Sequence, residues 1–182
     1  MRVISGSARG RKLKAPDGDL TRPITDRAKE GIFNMLINYA GLDGARVLDL
    51  FAGSGSFGIE ALSRGAEHVT FVEKRRQARV TIEENLATLG FSDRARVVAG
   101  TVPECLVGMR AVDVAFCDPP YALDIWAEIF GLLPADTMVG HAESAITVTG
   151  QWDEVRRRTY GRSQIVIAQR LHSTESDDIK VK

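Results

Sequence analysis

Two cysteines and three histidines are the whole supply of thiol and imidazole in this chain. Neither Cys105 nor Cys117 belongs to a Cys-x-x-Cys pair, and the histidines are scattered. That pattern argues against a structural zinc site or a disulfide framework, so no metal is expected. Both cysteines suit small core positions in a reducing compartment. Long apolar runs are missing too. No stretch approaches the about 20 residues needed to span a bilayer, and the opening MRVISGSARGRK has no signal-type apolar segment. A cytoplasmic protein is expected. Net charge is absent as well, with 24 basic and 24 acidic residues, and says nothing about partners. What remains is an ordinary globular composition, 44% hydrophobic in 182 residues, enough for one domain to bury a core without staples.

The charge is unevenly placed. Arg2, Arg9, Arg11, Lys12 and Lys14 crowd the first 14 residues with no acid among them, whereas Glu175, Asp177 and Asp178 lie in the tail. A basic segment of this kind can meet phosphates, or can simply be a solvated terminus. Val3-Ile4 and Leu13 flank a turn-rich SGSARGRK, which predicts a hairpin or extended arm over residues 1–20. Residues 21–170 form the main domain, and the polar residues 171–182 are expected to be disordered.

Within the main domain Thr25 caps a helix whose Ala28, Ile32, Met35, Leu36 and Tyr39 keep helical spacing until Gly41. From residue 46 the pattern alternates. Strands are predicted at Arg46–Leu50, His68–Val72, Arg96–Val98, Val112–Cys117 and Ala145–Thr149. Helices are predicted between them at Gly55–Arg64, Lys74–Leu89, Val102–Met109 and Leu123–Leu132. Glu154–Tyr160 and Ser163–Arg170 read as two strands joined at Gly161. This rhythm predicts an α/β fold with a doubly wound, mostly parallel sheet and an antiparallel C-terminal hairpin.

Two motifs carry the chemistry. The first strand runs into Asp49-Leu50-Phe51-Ala52-Gly53-Ser54-Gly55-Ser56-Phe57-Gly58. Ligands bind such folds at the carboxyl ends of strands, and a Gly-rich turn lets backbone approach them closely. Glu73 ends the second strand, where a carboxylate can accept bonds from both ribose hydroxyls. Gly53-x-Gly55-x-x-Gly58 also fits a dinucleotide fingerprint, so the loop alone does not separate a nicotinamide enzyme from a methyltransferase. Asp49, placed for an ammonium group or for loop amides, favours the latter, as does the lack of room for a second catalytic domain. The other motif, Asp118-Pro119-Pro120-Tyr121, closes the apolar strand VDVAFC. Two prolines force a rigid turn there. An aromatic amine is a poor nucleophile because its lone pair is delocalised. Asp118 and the Pro119 carbonyl could accept both its N–H bonds, and Tyr121 could stack on the base. The plain alternative is a strand-ending turn with an aspartate cap.

Taken with RVISGSARGRKL at 2–13, TRPITDRAKEGIFNML at 21–36, LDLFAGSGSFGIEALSRGA at 48–66 and DPPY at 118–121, the chain resembles the RsmD-type 16S ribosomal RNA guanine-N2 methyltransferases over residues 2 to 170. The resemblance implies a class I methyltransferase fold of seven strands with a small N-terminal hairpin arm. It also implies S-adenosylmethionine as methyl donor, S-adenosylhomocysteine as product, and 16S rRNA on an assembling 30S subunit as substrate. It suggests Asp49, Phe51, Gly53, Gly55 and Glu73 as cofactor residues, with Arg22 and Thr25 near the methionine end, and Asp118, Pro119 and Tyr121 as the catalytic group. Arg9, Arg11, Lys12 and Lys14 would grip RNA backbone. Arg156, Arg157 and Arg158 could join them or merely form an exposed strand. Phe33 could border the site or pack in the core. A monomer is expected.

Two positions depart from the family pattern. Gly100-Thr101 stands where the family often has an acidic residue against adenine. Thr101-x-x-Glu104 fits a capping box, which makes Thr101 a helix cap or, alternatively, a cofactor contact. Thr149 stands where the predicted fifth strand of relatives often ends in Glu. Rival readings are an adenine-N6 methyltransferase on RNA or DNA, a non-catalytic rRNA-binding assembly factor, and more remotely the nicotinamide enzyme.

Overall fold

The structure is a computed structural model describing residues 1–16, 24–120 and 123–171. Seven strands form one sheet: β1 (Arg46–Leu50), β2 (His68–Val72), β3 (Ala95–Val98), β4 (Val112–Cys117), β5 (Ala135–Ala142), β6 (Trp152–Tyr160) and β7 (Ser163–Arg170). Their order is β3-β2-β1-β4-β5-β7-β6. The first five strands are parallel, and β7 is antiparallel to both β5 and β6. The chain therefore winds outward one way from β1 and then, starting at β4, the other way. A crevice opens where the winding reverses, at the carboxyl ends of β1 and β4, and ligands settle in such crevices.

Among the described residues four helices, α1 (Asp26–Leu36), α2 (Ser56–Ser63), α3 (Arg76–Leu89) and α4 (Trp126–Leu132), cover the sheet. Central strands buried on both faces read as nearly continuous apolar runs, as VDVAFC does. One core cluster lies among α1, α2, α3 and one sheet face, and holds Ile32, Phe33, Phe57 and Phe116. The second is built from Trp126, Ile129, Phe130, Met138 and Trp152 on the other face. Phe33 is thus a core residue, 5.2 Å from the Phe116 ring centroid and under the Arg64 guanidinium.

Four predicted elements need correction. The helix predicted from Leu123 begins only at Trp126, with Ile125 as its N-cap. Ala145–Thr149 is not a strand: the fifth strand is Ala135–Ala142. Its sequence ADTMVGHA lacks the β-branched run that made AITVT look extended. Gly140 leaves room within it for tight packing: a Cβ there would lie 3.1 Å from Ile146 Cδ1 and 3.3 Å from Trp126 Cη2, so those side chains would have to shift by a few tenths of an ångström. Ile146 belongs to the loop that folds back over the strand and is buried there, so the apolar signal came from packing. The predicted helix Val102–Met109 contracts to a 3-10 turn, Glu104–Leu106. Only Val102 and Leu106 bury fully in that segment, too little apolar surface to hold a longer helix. Finally, α1 stops at Leu36 rather than running to Gly41, while Thr25 caps it, its Oγ1 accepting from the Ala28 N–H at 3.2 Å.

The N-terminal residues form a hairpin, with Arg2 bridged to Lys12, that is built into the core. Val3, Ala8 and Leu13 are buried. The Glu60 carboxylate of α2 accepts from the N–H groups of Ile4 and Ser5 at 2.7 and 2.9 Å. Gly6 has φ +78, and a Cβ there would meet the Ser63 carbonyl oxygen at 1.7 Å, so only glycine fits. Lys29 of α1 completes the joint, donating to the Arg2 carbonyl and to Ser56 Oγ while lying 3.4 Å from Glu60.

Candidate active site

The turn after β1 is held from several sides. Ala52 N–H donates to the Val72 carbonyl at 3.0 Å and Gly55 N–H to the Ala52 carbonyl at 2.7 Å. Phe51 takes φ 57, the only positive value of a non-glycine residue among the described residues. A bulky side chain held there stores strain, which persists only where the surroundings over-determine it. Gly53 and Gly55 supply the left-handed angles that follow, and Gly55 is the N-cap of α2. Gly58 serves packing instead. A Cβ there would lie 2.3 Å from Phe71, so its absence lets α2 approach β2.

A cavity of about 400 Å³ opens over this turn, a size suited to a small-molecule ligand. It brings together Asp49, Phe51, Gly53, Glu73, Asp118 and Pro119, drawn from motifs far apart in sequence, and Thr101 joins them on the rim. Thr25 does not line it. Neither does Gly55, which shapes the loop from behind. Arg22 and Tyr121 lie outside the described residues. Met1, Ala15 and Pro16 reach the same cavity, so the N-terminal hairpin forms part of its wall.

Three carboxylates face or underlie the space. Asp49 is buried and accepts from the Gly58 N–H at 2.8 Å. Burial pushes its carboxyl well above the ordinary range, the Gly58 hydrogen bond opposes the rise, and the charges of Asp118 and Glu73 add to it. Glu73 accepts from the Gly53 N–H at 2.9 Å through Oε2 and from the Arg75 N–H at 2.8 Å through Oε1. It therefore clamps the turn after β1; Oε1 also accepts from Arg75 Nε at 3.3 Å, so it is Oε2 that keeps a lone pair for a ligand hydroxyl. Asp118 is bonded through Oδ1 to His141 Nδ1 at 2.9 Å. Lys74 and Arg75 also line the cavity, so its acidic character is local to Asp49, Glu73 and Asp118; with apolar walls at Phe51, Val72 and Val102 it suits a ligand that carries positive charge on that side and a flat apolar group elsewhere. Cys117, directly beneath Asp118, is no candidate nucleophile: burial drives its thiol well up, and Cys105 is raised for the same reason.

Thr101 does not cap a helix. The short turn after it starts from Pro103 with no side-chain cap bond, and Thr101 is exposed at the cavity edge. The departure assigned to Thr149 also dissolves. Strand five ends at Ala142, and Glu143 follows immediately. His141 and the Lys29–Glu60 pair went unrecognised in the sequence. Glu60 did carry a signal, as a charge inside an otherwise apolar helix. His141 carried none, because its strand was misplaced.

Comparison with known proteins decides the family. The family described as "Conserved hypothetical protein 95" matches residues 1–169. The Ribosomal RNA small subunit methyltransferase D of Escherichia coli is 36% identical over 188 residues, covering 97% of this chain and 93% of that protein. The chain belongs to this methyltransferase family. The protein of the same name from Haemophilus influenzae is 39% identical over 137 residues, covering 73% of this chain and 70% of its own length. A solved Escherichia coli structure described as a "Putative methyltransferase" superposes with a TM-score of 0.82 at 35% identity, covering 94% of this chain and 98% of that one. The seven-stranded class I methyltransferase fold follows from these likenesses and from the strand order. Among the described residues no group of acidic, histidine and cysteine side chains gathers to hold a metal, and no helix is long and apolar enough to cross a membrane.

Proposed function

We propose that the chain transfers a methyl group from S-adenosylmethionine to the exocyclic N2 of a guanine in 16S rRNA, in the cytoplasm. The observation that carries the reading is the meeting, in one cavity, of Asp118-Pro119 at the end of β4 with the turn after β1 and Glu73. S-adenosylmethionine supplies an electrophilic methyl group on a sulfonium. Its positive charge would sit beside the carboxylates of Asp49 and Asp118. Glu73 would take a ribose hydroxyl through Oε2, and the second where Arg75 Nε gives way on Oε1. Asp49 would support the loop amides and the ammonium end, and Phe51, Val72 and Val102 would enclose the adenine. Thr101 would stand at the adenine edge, where its exposed hydroxyl can exchange a hydrogen bond.

Asp118 supplies the chemistry. A carboxylate accepting from the guanine amino group draws the lone pair out of conjugation and aims it at the donor. It also balances positive charge that develops on nitrogen. The Pro119 carbonyl, fixed by the two-proline turn, would accept the second N–H. The base must leave its stack to enter. Rate enhancement then comes from placement and fixed charge.

The arm's four cations divide by structure. Arg11 donates to the Thr88 carbonyl and Lys14 pairs with Glu84 at 2.9 Å. Arg9 and Lys12 are exposed and have no ion pair among the described residues, which makes them the stronger phosphate contacts. Of the β6 trio, Arg157 is engaged with Glu154 and Gln164, leaving Arg156 and Arg158 exposed on the edge strand.

Asp118→Ala tests the reading. S-adenosylmethionine affinity should stay near that of the parent, while single-turnover methyl transfer to 30S particles falls by about 10²–10³-fold, the loss typical of one preorganised transition-state contact. Asp118→Asn should fall between the two, since its amide oxygen still accepts one N–H. Parent-like turnover by the alanine variant would remove Asp118 from the mechanism.

A further inference from the structure

We propose that His141 is a positioning residue: it holds one oxygen of the Asp118 carboxylate so that the other is presented to the amine in the cavity. The proposal rests on the reading of Asp118 given above. β4 and β5 run parallel with Cys117 opposite Gly140, so the next residue on each chain, Asp118 and His141, emerges side by side. His141 Nδ1 lies 2.9 Å from Asp118 Oδ1. A carboxylate offers only acceptors, so the imidazole donates through Nδ1 and its other nitrogen is the acceptor in the neutral ring.

Burial is divided to suit this arrangement. The His141 side chain is 9% exposed and that of Asp118 37%. The anchor is therefore fixed by packing, and the group it holds faces the open space. On the far side β7 lies against β5, with Ile165 opposite His141 in the ladder and itself buried. His141 also forms part of the wall of a second cavity, of about 300 Å³, with Thr25, Arg27 and Arg162. The Asp118–His141 pair thus lies between the two cavities, both of which Ile24 also borders. A carboxylate as open as Asp118 would otherwise rotate about its χ torsions, and only part of that population would point at the acceptor nitrogen. Outer partners that orient a working group commonly matter by about 10–100-fold in the function they support, as seen for the ligands of metal sites. The competing view is that His141 is a buried histidine satisfied by the nearest acceptor, with no consequence for the reaction.

Three substitutions separate the two views in single-turnover assays with saturating S-adenosylmethionine and 30S particles. His141→Leu removes the donor. His141→Gln keeps polarity and bulk but moves the amide away from the Nδ1 position. His141→Asn places an amide nitrogen close to where Nδ1 lies. We expect Leu and Gln to slow methyl transfer about 10-fold or more, with cofactor affinity and KM for 30S particles near the parent values, and Asn to recover most of the rate. In an Asp118→Ala background His141→Leu should add almost nothing, since residues acting as one unit are not additive. Should the leucine variant fail to fold, the Gln and Asn pair gives the same contrast. Parent-like rates for His141→Gln, with Asp118→Ala slow, would overturn the proposal. So would losses that multiply in the double variant. A fast Asp118→Ala enzyme would instead overturn the reading of Asp118 on which the proposal depends.

Discussion

Two buried ionisable residues, Asp49 in the cavity and Lys29 at the joint between hairpin and α2, show what burial asks of single side chains. Asp49 has its carboxyl raised by burial and by the neighbouring charges of Asp118 and Glu73. A cationic cofactor entering the cavity would stabilise its charged form, so binding should release protons. Calorimetric titration in buffers of different ionisation enthalpy should show that release, and Asp49→Asn should abolish it. Buffer-independent heats would mean that Asp49 does not sense the ligand. The same shift sets a sign for stability. A carboxyl whose folded pKa is raised stabilises the fold below the unfolded value and loses that contribution as pH rises through the folded one. The stability of the parent relative to Asp49→Asn should therefore decline with rising pH. Lys29 is the mirror case, its ammonium pKa lowered chiefly by burial and partly restored by Glu60. Lys29→Met should cost about 3 kcal/mol in urea unfolding, the low end for breaking a buried pair, because Glu60 keeps Arg64 and two backbone donors. A neutral result would show that the pair is dispensable to the joint between hairpin and α2.

At the scale of elements, the sequence was most legible where pattern and burial coincide. β1, β2, β4 and the β6–β7 hairpin lie within a residue or two of their predicted bounds, because each is a compact apolar or alternating run between turn residues. The two motifs fell at the correct strand ends for the same reason. Legibility failed where tertiary packing replaced local preference. β5 hides in ADTMVGHA because a glycine packed closely under Ile146 and Trp126 and few β-branched residues give no strand pattern, and with it went His141. The capping box at Thr101 failed because too little surface is buried after it to sustain a helix. Thr101→Ala should accordingly leave unfolding free energy within about 0.5 kcal/mol of the parent. A loss of about 1 kcal/mol would restore the cap. The N-terminal hairpin gives a sharper contrast. Deleting residues 1–14 should destabilise the whole domain, because Val3, Ala8 and Leu13 leave the core. The exchange Arg9→Gln with Lys12→Gln should keep the fold and make the salt dependence of RNA binding shallower, by up to about one unit per lost phosphate contact. An unchanged slope would reduce the two cations to solvated surface.

The whole molecule joins these parts through one crevice. The reversal of winding between β1 and β4 sets the turn after β1 beside the Asp118-Pro119 turn. The N-terminal hairpin closes the cavity from one side through Met1, Ala15 and Pro16 and carries exposed cations on its outer surface. A molecule without net charge can still carry a locally basic face beside a group of carboxylates in the cavity, as the proposed function would require. Under the proposed function that division would give steering to the hairpin and chemistry to the strand ends. The most direct test is the identity of the product. The protein is incubated with labelled S-adenosylmethionine and, in separate reactions, unmodified 30S particles, naked 16S rRNA and duplex DNA, and the modified nucleoside is then identified after digestion. The account predicts N2-methylguanosine from ribosomal substrate and no label in DNA. N6-methyladenosine, or label confined to DNA, would contradict it.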